Sequence, residues 1–594
     1  MTMQPNSDEV APDESAGVLH RIPAQRSAPE REGQPDPSPP PKTTRTPKTA
    51  RIGKGRGLRY TLPGSWGALV FVCLSFTPSL LPCSWLVQAI VCGINGSIGY
   101  ALGVAGAYVG RAFVDRDPRP ARRRSWGILC LTAAVVLPVA ATLGHWWQRQ
   151  IRELMGLPSE STWLVLLFPV VAAAVFVGIL AVACALRTAC VSLSRLLDYW
   201  IGLRAARILG WGIVLATTVL VVNGVVLDGS TAAADRVFSL RDRLTKQGAV
   251  RPTSPLRSGG PGSLVSWDSL GREGRVFVGT GPNAERISAV TGRRAHDPIR
   301  VFAGTSSASD VEARAELAVN DLVRAGGFAR RTLLVVTTTG SGWVDPASVD
   351  TFEYLTGGDS ATIAMQYSYL PSWISYLVDQ NETRQAGREL FDAVYERWSN
   401  LPADRRPKLY VFGESLGSFG GETAFSGEHD LRNRTSGALF AGPPHFNALY
   451  RSFTDQRDAG SREVQAVYKR GRTVRFDNDP GGRFAPTSAP WRGSRVVYLV
   501  NPSDPIVWWD THLILHRPDW LRESRGNDVV PAMTWIPFVS FCQVTADLPF
   551  ATGVPTGHGH TYSNEYVAAW RSILRPTTWS TQQYARLQAI AGAE

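Results

Sequence analysis

Cysteine is scarce in this chain. Of seven cysteines in 594 residues, six (Cys73, Cys83, Cys92, Cys130, Cys184, Cys190) fall in or beside long apolar runs, and only Cys542 lies in the C-terminal half. A disulfide within that half is therefore excluded, and no C-x-x-C pair offers a zinc site. Large apolar side chains are few before Arg59, where Pro, Ser, Thr and Arg dominate. A basic, proline-rich tail of this kind buries too little surface to offset chain entropy, so residues 1–59 are expected to be disordered. The tail is also too long and too polar for a signal peptide. Charge is nearly missing from the apolar runs between Trp66 and Leu227, which removes support for a conduction path through them. No internal repeat is evident.

The charge that is present is informative by its position. The net +12 falls largely before Tyr60 and in short loops between apolar runs. Arginines flanking apolar spans fit membrane topology, so no nucleic-acid partner is expected. Residues 60–228 read as a transmembrane domain of about five spans: Trp66–Leu81, Trp85–Gly110, Trp126–Trp146, Trp163–Leu186 and Ile208–Leu227. The last four reach the ~20 residues a bilayer core requires. The first is short and carries Pro78, so it is expected to cross imperfectly or to form a re-entrant hairpin with the second. Tryptophans at the span edges fit an interfacial belt. The loop Arg111–Arg124 holds six arginines and Arg187–Arg207 holds four, whereas Trp147–Thr162 between them holds two. The positive-inside rule makes the two arginine-rich loops cytoplasmic and delivers the C-terminal half to the extracytoplasmic side of the cell membrane.

A polar, Gly/Pro-rich linker (229–262) precedes a region of different texture (263–580). Short strand-like runs occur at Arg275–Val278, Ile299–Phe302, Thr332–Thr337, Ala361–Tyr367, Lys408–Phe412 and Arg495–Val500, with helical periodicity at Val311–Arg324 and Gly387–Trp398. Near-continuous apolar strands alternating with helices predict an α/β domain with a mostly parallel sheet covered on both faces. The stretch Val529–Phe550 is ambiguous between helix and strand.

Directly behind the run Lys408–Phe412 stands Gly413-Glu414-Ser415-Leu416-Gly417, the G-x-S-x-G pattern of a strand-to-helix elbow that exposes one serine. A serine hydroxyl is a weak nucleophile until a base removes its proton, so Ser415 as nucleophile implies partners further along the chain. An acid is expected after a later strand, and Asp504 in Asn501-Pro502-Ser503-Asp504-Pro505 follows Arg495–Val500; Asp510 is the rival. The base is expected in Gly557-His558-Gly559-His560-Thr561-Tyr562, before a helix starting near Ser563. His558 is nearer to the usual Gly-His-Gly context and leaves a loop of normal length before that helix; His560 is the alternative. The oxyanion-hole donors are expected to be the backbone N–H of Leu416 and that of Gly340 or Ser341, in the glycine-rich loop after Thr332–Thr337. Chain order Ser, Asp, His is that of the α/β-hydrolases.

The chain resembles the bacterial membrane-anchored α/β-hydrolase family with an N-terminal multi-span domain. The match rests on Thr77-Pro78-Ser79-Leu80-Leu81-Pro82, Ser266-Trp267-Asp268-Ser269-Leu270-Gly271, Gly340-Ser341-Gly342-Trp343, the elbow at Ser415, Asn501–Pro505 and Gly557–His560. It covers about Tyr60 to Leu574, and the arginine- and alanine-rich composition is similar to that of actinobacterial members. The resemblance implies an α/β-hydrolase fold behind an all-α transmembrane domain, and a serine hydrolase without a defined substrate. With the residues above it leads to an esterase or lipase-like enzyme cleaving an ester by a Ser-His-Asp triad, with no cofactor or metal. Its expected partners are the lipid bilayer and a lipid or acyl-ester substrate. Two alternatives are an acyltransferase using the same triad on an envelope lipid or sugar, and a non-enzymatic membrane scaffold. Gly279–Ala284 mimics a dinucleotide fingerprint without a βαβ unit. His512 and His516 lack the glutamate of a zinc protease, Leu513 standing beside His512 instead. The acceptor-like Asn381-Glu382-Thr383 and Asn433-Arg434-Thr435 carry little meaning in a bacterial chain.

Overall fold

The structure is a computed structural model that describes residues 60–115, 121–158, 163–371, 375, 380–477 and 489–593. The tail 1–59, positions 116–120 of the arginine-rich loop and positions 159–162 lie outside the described residues. The N-terminal region opens with a short helix, α1 (Leu62–Leu74), started by the Thr61 cap and Pro63 at its first turn. At 13 residues, and with ~1.5 Å of rise per residue, α1 is too short for a bilayer core of ~30 Å. It lies against α2 (Trp85–Val114), and the connection 75–84 between them carries Pro78 and Pro82 and leaves the helical path. The two form a helical hairpin.

Among the described residues, four helices are long and apolar enough to cross a membrane. They are α2, α3 (Arg123–Leu154), α4 (Phe168–Ile201) and α5 (Leu203–Leu220), the last continued by a π-helical stretch Val221–Leu227. Side chains such as Leu131, Val135, Val170, Val182 and Leu215 are exposed on them, as a lipid-facing surface requires. The helices overrun the expected spans. In particular, α4 stays helical to Ile201, so Arg187 and Arg195 stand on a helix and the turn into α5 is at Gly202. The expected linker is partly ordered too, since Asp228–Asp242 is helical.

The C-terminal region holds a seven-stranded, all-parallel sheet in the order β1-β3-β2-β4-β5-β7-β6. Its strands are β1 (Ile299–Ala303), β2 (Thr332–Thr337), β3 (Ser360–Met365), β4 (Lys408–Glu414), β5 (Gly437–Ala441), β6 (Val474–Asp477) and β7 (Arg495–Leu499). Alternate residues along each strand enter two apolar layers. Leu333, Val335, Val411 and Phe440 join one, and Leu334, Val336, Phe412 and Leu439 the other. This is why the strands read as continuous apolar runs: each is buried on both faces. The run Arg275–Val278, expected as a strand, is instead part of a helix, Gly271–Gly279. Four residues do not separate the two periodicities. Tertiary contacts decide, with Arg275 bonded to Gly271 O, Asp242 O and Thr245.

The chain moves outward from β2 to β3, then crosses back so that β4 pairs with the other edge of β2. That reversal makes a crevice at the carboxyl ends of β2 and β4, where α/β sheets bind ligands. Thr337 pairs with Gly413 in register, so the loop after β2 and the turn after β4 emerge side by side.

Candidate active site

Ser415 occupies the turn between β4 and the helix Leu416–Glu422, with φ 54° and ψ −125°. A side-chain-bearing residue at positive φ is strained, and such strain is held in place only by the surroundings. Here the Ser415 N–H donates to Ala441 O on β5 (2.9 Å), and its carbonyl accepts from Ser418 N–H (2.9 Å) and Ser418 Oγ (2.6 Å). The flanking glycines are dictated by backbone contact. A Cβ on Gly413 would stand 2.3 Å from Gly417 O, and one on Gly417 would stand 2.2 Å from Thr337 O.

Asp504 follows β7 and caps the short helix Pro505–Trp508 through Ile506 N–H to its Oδ1 (2.9 Å). Its Oδ2 accepts from Tyr562 Oη at 2.8 Å and lies 2.7 Å from His560 Nδ1. Burial, with the Asp504 charge adding to it, pushes the Tyr562 phenol well above its usual range, so Tyr562 stays a neutral donor. A carboxylate beside Nδ1 favours the tautomer with its proton there, leaving Nε2 as a bare acceptor. His560 Nε2 is buried and makes no hydrogen bond with the described residues. The Ser415 hydroxyl makes none either, and Ser415 and His560 line the same two cavities, of about 460 and 310 Å³.

The two histidines of the Gly-His-Gly-His segment are thus given different carboxylates. His558 Nδ1 faces Asp528 Oδ2 at 3.2 Å, and the same oxygen accepts from Ser503 Oγ. Asp510, the rival acid, is drawn elsewhere: it meets His445 Nε2 at 3.1 Å and His512 Nδ1 at 2.9 Å. Burial works against its ionisation, but the hydrogen bonds from those histidines outweigh it and hold the carboxyl well below its ordinary range.

The expected oxyanion donors lie on the elbow helix and on the loop after β2. Leu416 is the first residue of the elbow helix, so its N–H has no acceptor within that helix. In the loop after β2, Thr339 N–H donates to Trp343 O and Gly342 N–H to Thr339 O, closing a tight turn. The amides of Gly340 and Ser341 between them donate to no described residue. Ser341 lines the smaller cavity with Ser415 and His560. Gly340 accepts from Ser368 N–H through its carbonyl.

Other residues at the site were not foreseen. Glu414 and Asp345 line the larger cavity, share a hydrogen bond, and are both raised above their ordinary values, first by burial. Tyr566 Oη donates to Glu414 Oε2 at 2.8 Å. Glu414 is the first of the two variable residues of the G-x-S-x-G pattern, and nothing in the pattern marks it. Among the described residues no group of three or more His, Cys, Asp or Glu is arranged to hold a metal ion.

Comparison with known proteins bears on the family and the fold. Residues 299–587 match a family described as "Alpha/beta-hydrolase family", and residues 76–282 match "Alpha/beta-hydrolase family N-terminus". No curated protein and no solved structure matches the chain. Together the two matches take in most of the chain beyond the tail, and the chain belongs to the alpha/beta-hydrolase family, its N-terminal domain included.

Proposed function

We propose that the protein is a membrane-anchored serine esterase in which Ser415, His560 and Asp504 form the catalytic triad. The observation that carries this reading is the His560–Asp504 pair, which leaves an unpaired imidazole nitrogen in the cavities lined by the strained Ser415. His560 Nε2 takes the Ser415 proton as Oγ attacks the ester carbonyl. The carbonyl π electrons move to oxygen, and the N–H groups of Leu416 and of Gly340 or Ser341 hold that oxyanion. His560 then gives its proton to the departing alcohol as the C–O bond breaks, leaving an acyl-serine. Water, deprotonated by the same nitrogen, attacks the acyl carbon, and the returning proton restores Ser415. Asp504, fixed by Ile506 N–H and Tyr562, orients the ring and stabilises the imidazolium between the two transfers.

Several features support an extracytoplasmic site acting on lipid-derived esters. The connections at one end of the helical region reach the hydrolase sheet: Leu80 and Leu81 of 75–84, and Ile151 and Met155 at the end of α3, belong to the same apolar core as Val335 and Val411. Arg111, Arg122, Arg123 and Arg124 stand at the opposite ends of α2 and α3. The positive-inside rule assigns that arginine-rich end to the cytoplasm and the hydrolase to the other side. Proximity to the bilayer favours acyl-lipid substrates.

Two adjoining cavities that meet at Ser415 and His560 also suit transfer of the acyl group to an alcohol acceptor such as an envelope sugar or lipid. A fluorophosphonate probe tests the common chemistry. It is expected to label the full-length protein at Ser415 and to leave Ser415→Ala unlabelled; labelling that persists in the variant overturns the assignment. Product analysis with and without added alcohol acceptors then separates hydrolysis from transfer.

A further inference from the structure

The helical region touches the hydrolase domain in part through the non-helical connection 75–84. The partner is the helix Val539–Asp547, in the stretch whose sequence was ambiguous. Gln543 Nε2 donates to Thr77 O at 2.6 Å and to Ser75 O at 3.2 Å. Asp547, 4% exposed, accepts from Ser79 Oγ and from the N–H groups of Leu80 (3.2 Å) and Leu81. A hydroxyl and two amides around one buried carboxyl make a close-fitting clasp. Prolines at 78 and 82 suit it, because they keep the backbone out of a helix and its amides out of helical bonds.

The clasp lies directly upstream of the catalytic loop. From Asp547 the chain continues through Leu548, Pro549 and Ala551, which line the smaller cavity together with Ser415 and His560. Ala551 O accepts the backbone N–H of His560 at 2.7 Å. Leu81, fully buried, packs on the same loop. Gly559 has φ +51°, and a Cβ on it would stand 2.6 Å from Ala551 O, 2.6 Å from Val554 Cγ2 and 3.3 Å from Leu81 Cδ2. One face of the His560 loop is therefore braced by the wall that Asp547 begins and by a leucine of the N-terminal region.

We propose that Ser79, Leu81 and Asp547 are positioning residues: the connection between α1 and α2 holds the cavity wall and the His560 loop in place, so the N-terminal region is a working part of the active site as well as an anchor. This rests on the triad reading given above. Misplacing a catalytic group by about 1 Å can cost on the order of 100-fold in rate. Ser79→Ala, which empties the clasp of its hydroxyl, is expected to lower turnover clearly while leaving the binding of a short ester alone.

The test uses full-length protein in detergent micelles or lipid nanodiscs, with a p-nitrophenyl butyrate assay, fluorophosphonate labelling rates and gel filtration to score the folded fraction. Ser79→Ala and Asp547→Asn are expected to lower kcat and the labelling rate by roughly ten-fold at unchanged KM and unchanged folded fraction. Ser79→Thr, which keeps the hydroxyl, is expected to restore them. Wild-type kcat in both variants overturns the proposal, as does a loss of activity that merely follows a loss of folded protein. Ser415→Ala run in parallel separates the two readings. If it is inactive while Ser79→Ala is fully active, only the clasp proposal fails; if it stays active, the triad itself is wrong.

Discussion

Glu414 and Asp345 share a hydrogen bond between their carboxyl groups in the wall of the cavity that Ser415 lines. Two buried carboxyls so placed do not ionise together readily, because each desolvated charge raises the other's proton affinity. Tyr566 supplies one outside donor to the pair. At neutral pH the pair therefore retains a proton that the unfolded chain has already released.

The first prediction follows from that retained proton. Both groups are raised above their ordinary values of 3.8 and 4.5, chiefly by burial. The folded state holds more protons than the unfolded state across the interval between the ordinary and the raised values. Stability from the pair is thus complete below the ordinary values and is lost as pH rises through the raised ones. Glu414→Gln keeps the shape and a hydrogen-bonding group but removes one titrating carboxyl, and leaves Asp345 without a like-charged neighbour. Thermal unfolding of the full-length protein at pH 5 and pH 8 is expected to show a smaller decline for Glu414→Gln than for wild type. An equal decline in both removes the shared proton from the account.

The second prediction concerns the two histidines. His560 faces Asp504 at 2.7 Å and His558 faces Asp528 at 3.2 Å. His560→Ala is expected to lower kcat by about 10⁴-fold or more, as does loss of a triad base elsewhere, whereas His558→Ala stays close to wild type. Tyr562→Phe removes one of the donors to Asp504 and is expected to cost about 1–2 kcal/mol in kcat/KM. Steady-state ester hydrolysis measures all three. A larger loss from His558→Ala than from His560→Ala reverses the assignment.

What the sequence disclosed and what it withheld divide along a physical line. Buried parallel strands are continuous apolar runs, so β2 (Thr332–Thr337) and the start of β4 at Lys408 were readable to the residue, as was the helix Val311–Arg324 from its period. β5 escaped because Gly437-Ala438-Leu439-Phe440-Ala441 is short and, Phe440 apart, built from residues with little strand preference of their own. Its place is set by pairing between β4 and β7. The elbow was readable because its glycines answer a local steric demand. The choice between His558 and His560 was not, because it depends on which carboxylate each ring meets, and Asp528 and Asp504 arrive from separate loops. Glu414 and Asp345 come together only at the crevice where the chain reverses between β2 and β4. The contact of Ser79 with Asp547 spans 468 positions, beyond any local pattern.

That long-range contact supplies the third prediction. Burial raises the Asp547 carboxyl from 3.8 to about 7, and the hydrogen bonds from Ser79, Leu80 and Leu81 oppose the shift without cancelling it. Because the folded value exceeds the unfolded one, the associated stability is present in full below 3.8 and is lost as pH rises through about 7. At 1.36 kcal/mol per unit the whole contribution is on the order of 4 kcal/mol, an upper bound that solvent relaxation around the opened clasp reduces. Asp547→Asn cannot titrate, so its stability carries no such dependence. The unfolding temperature of wild type is therefore expected to fall relative to that of Asp547→Asn as pH rises from 5 to 8, steepest between the two values and levelling off above about 7. Differential scanning calorimetry in one detergent across that interval measures the difference directly. A constant offset between the two proteins would mean that Asp547 is ionised throughout, and that the clasp holds a carboxylate rather than a carboxylic acid at low pH.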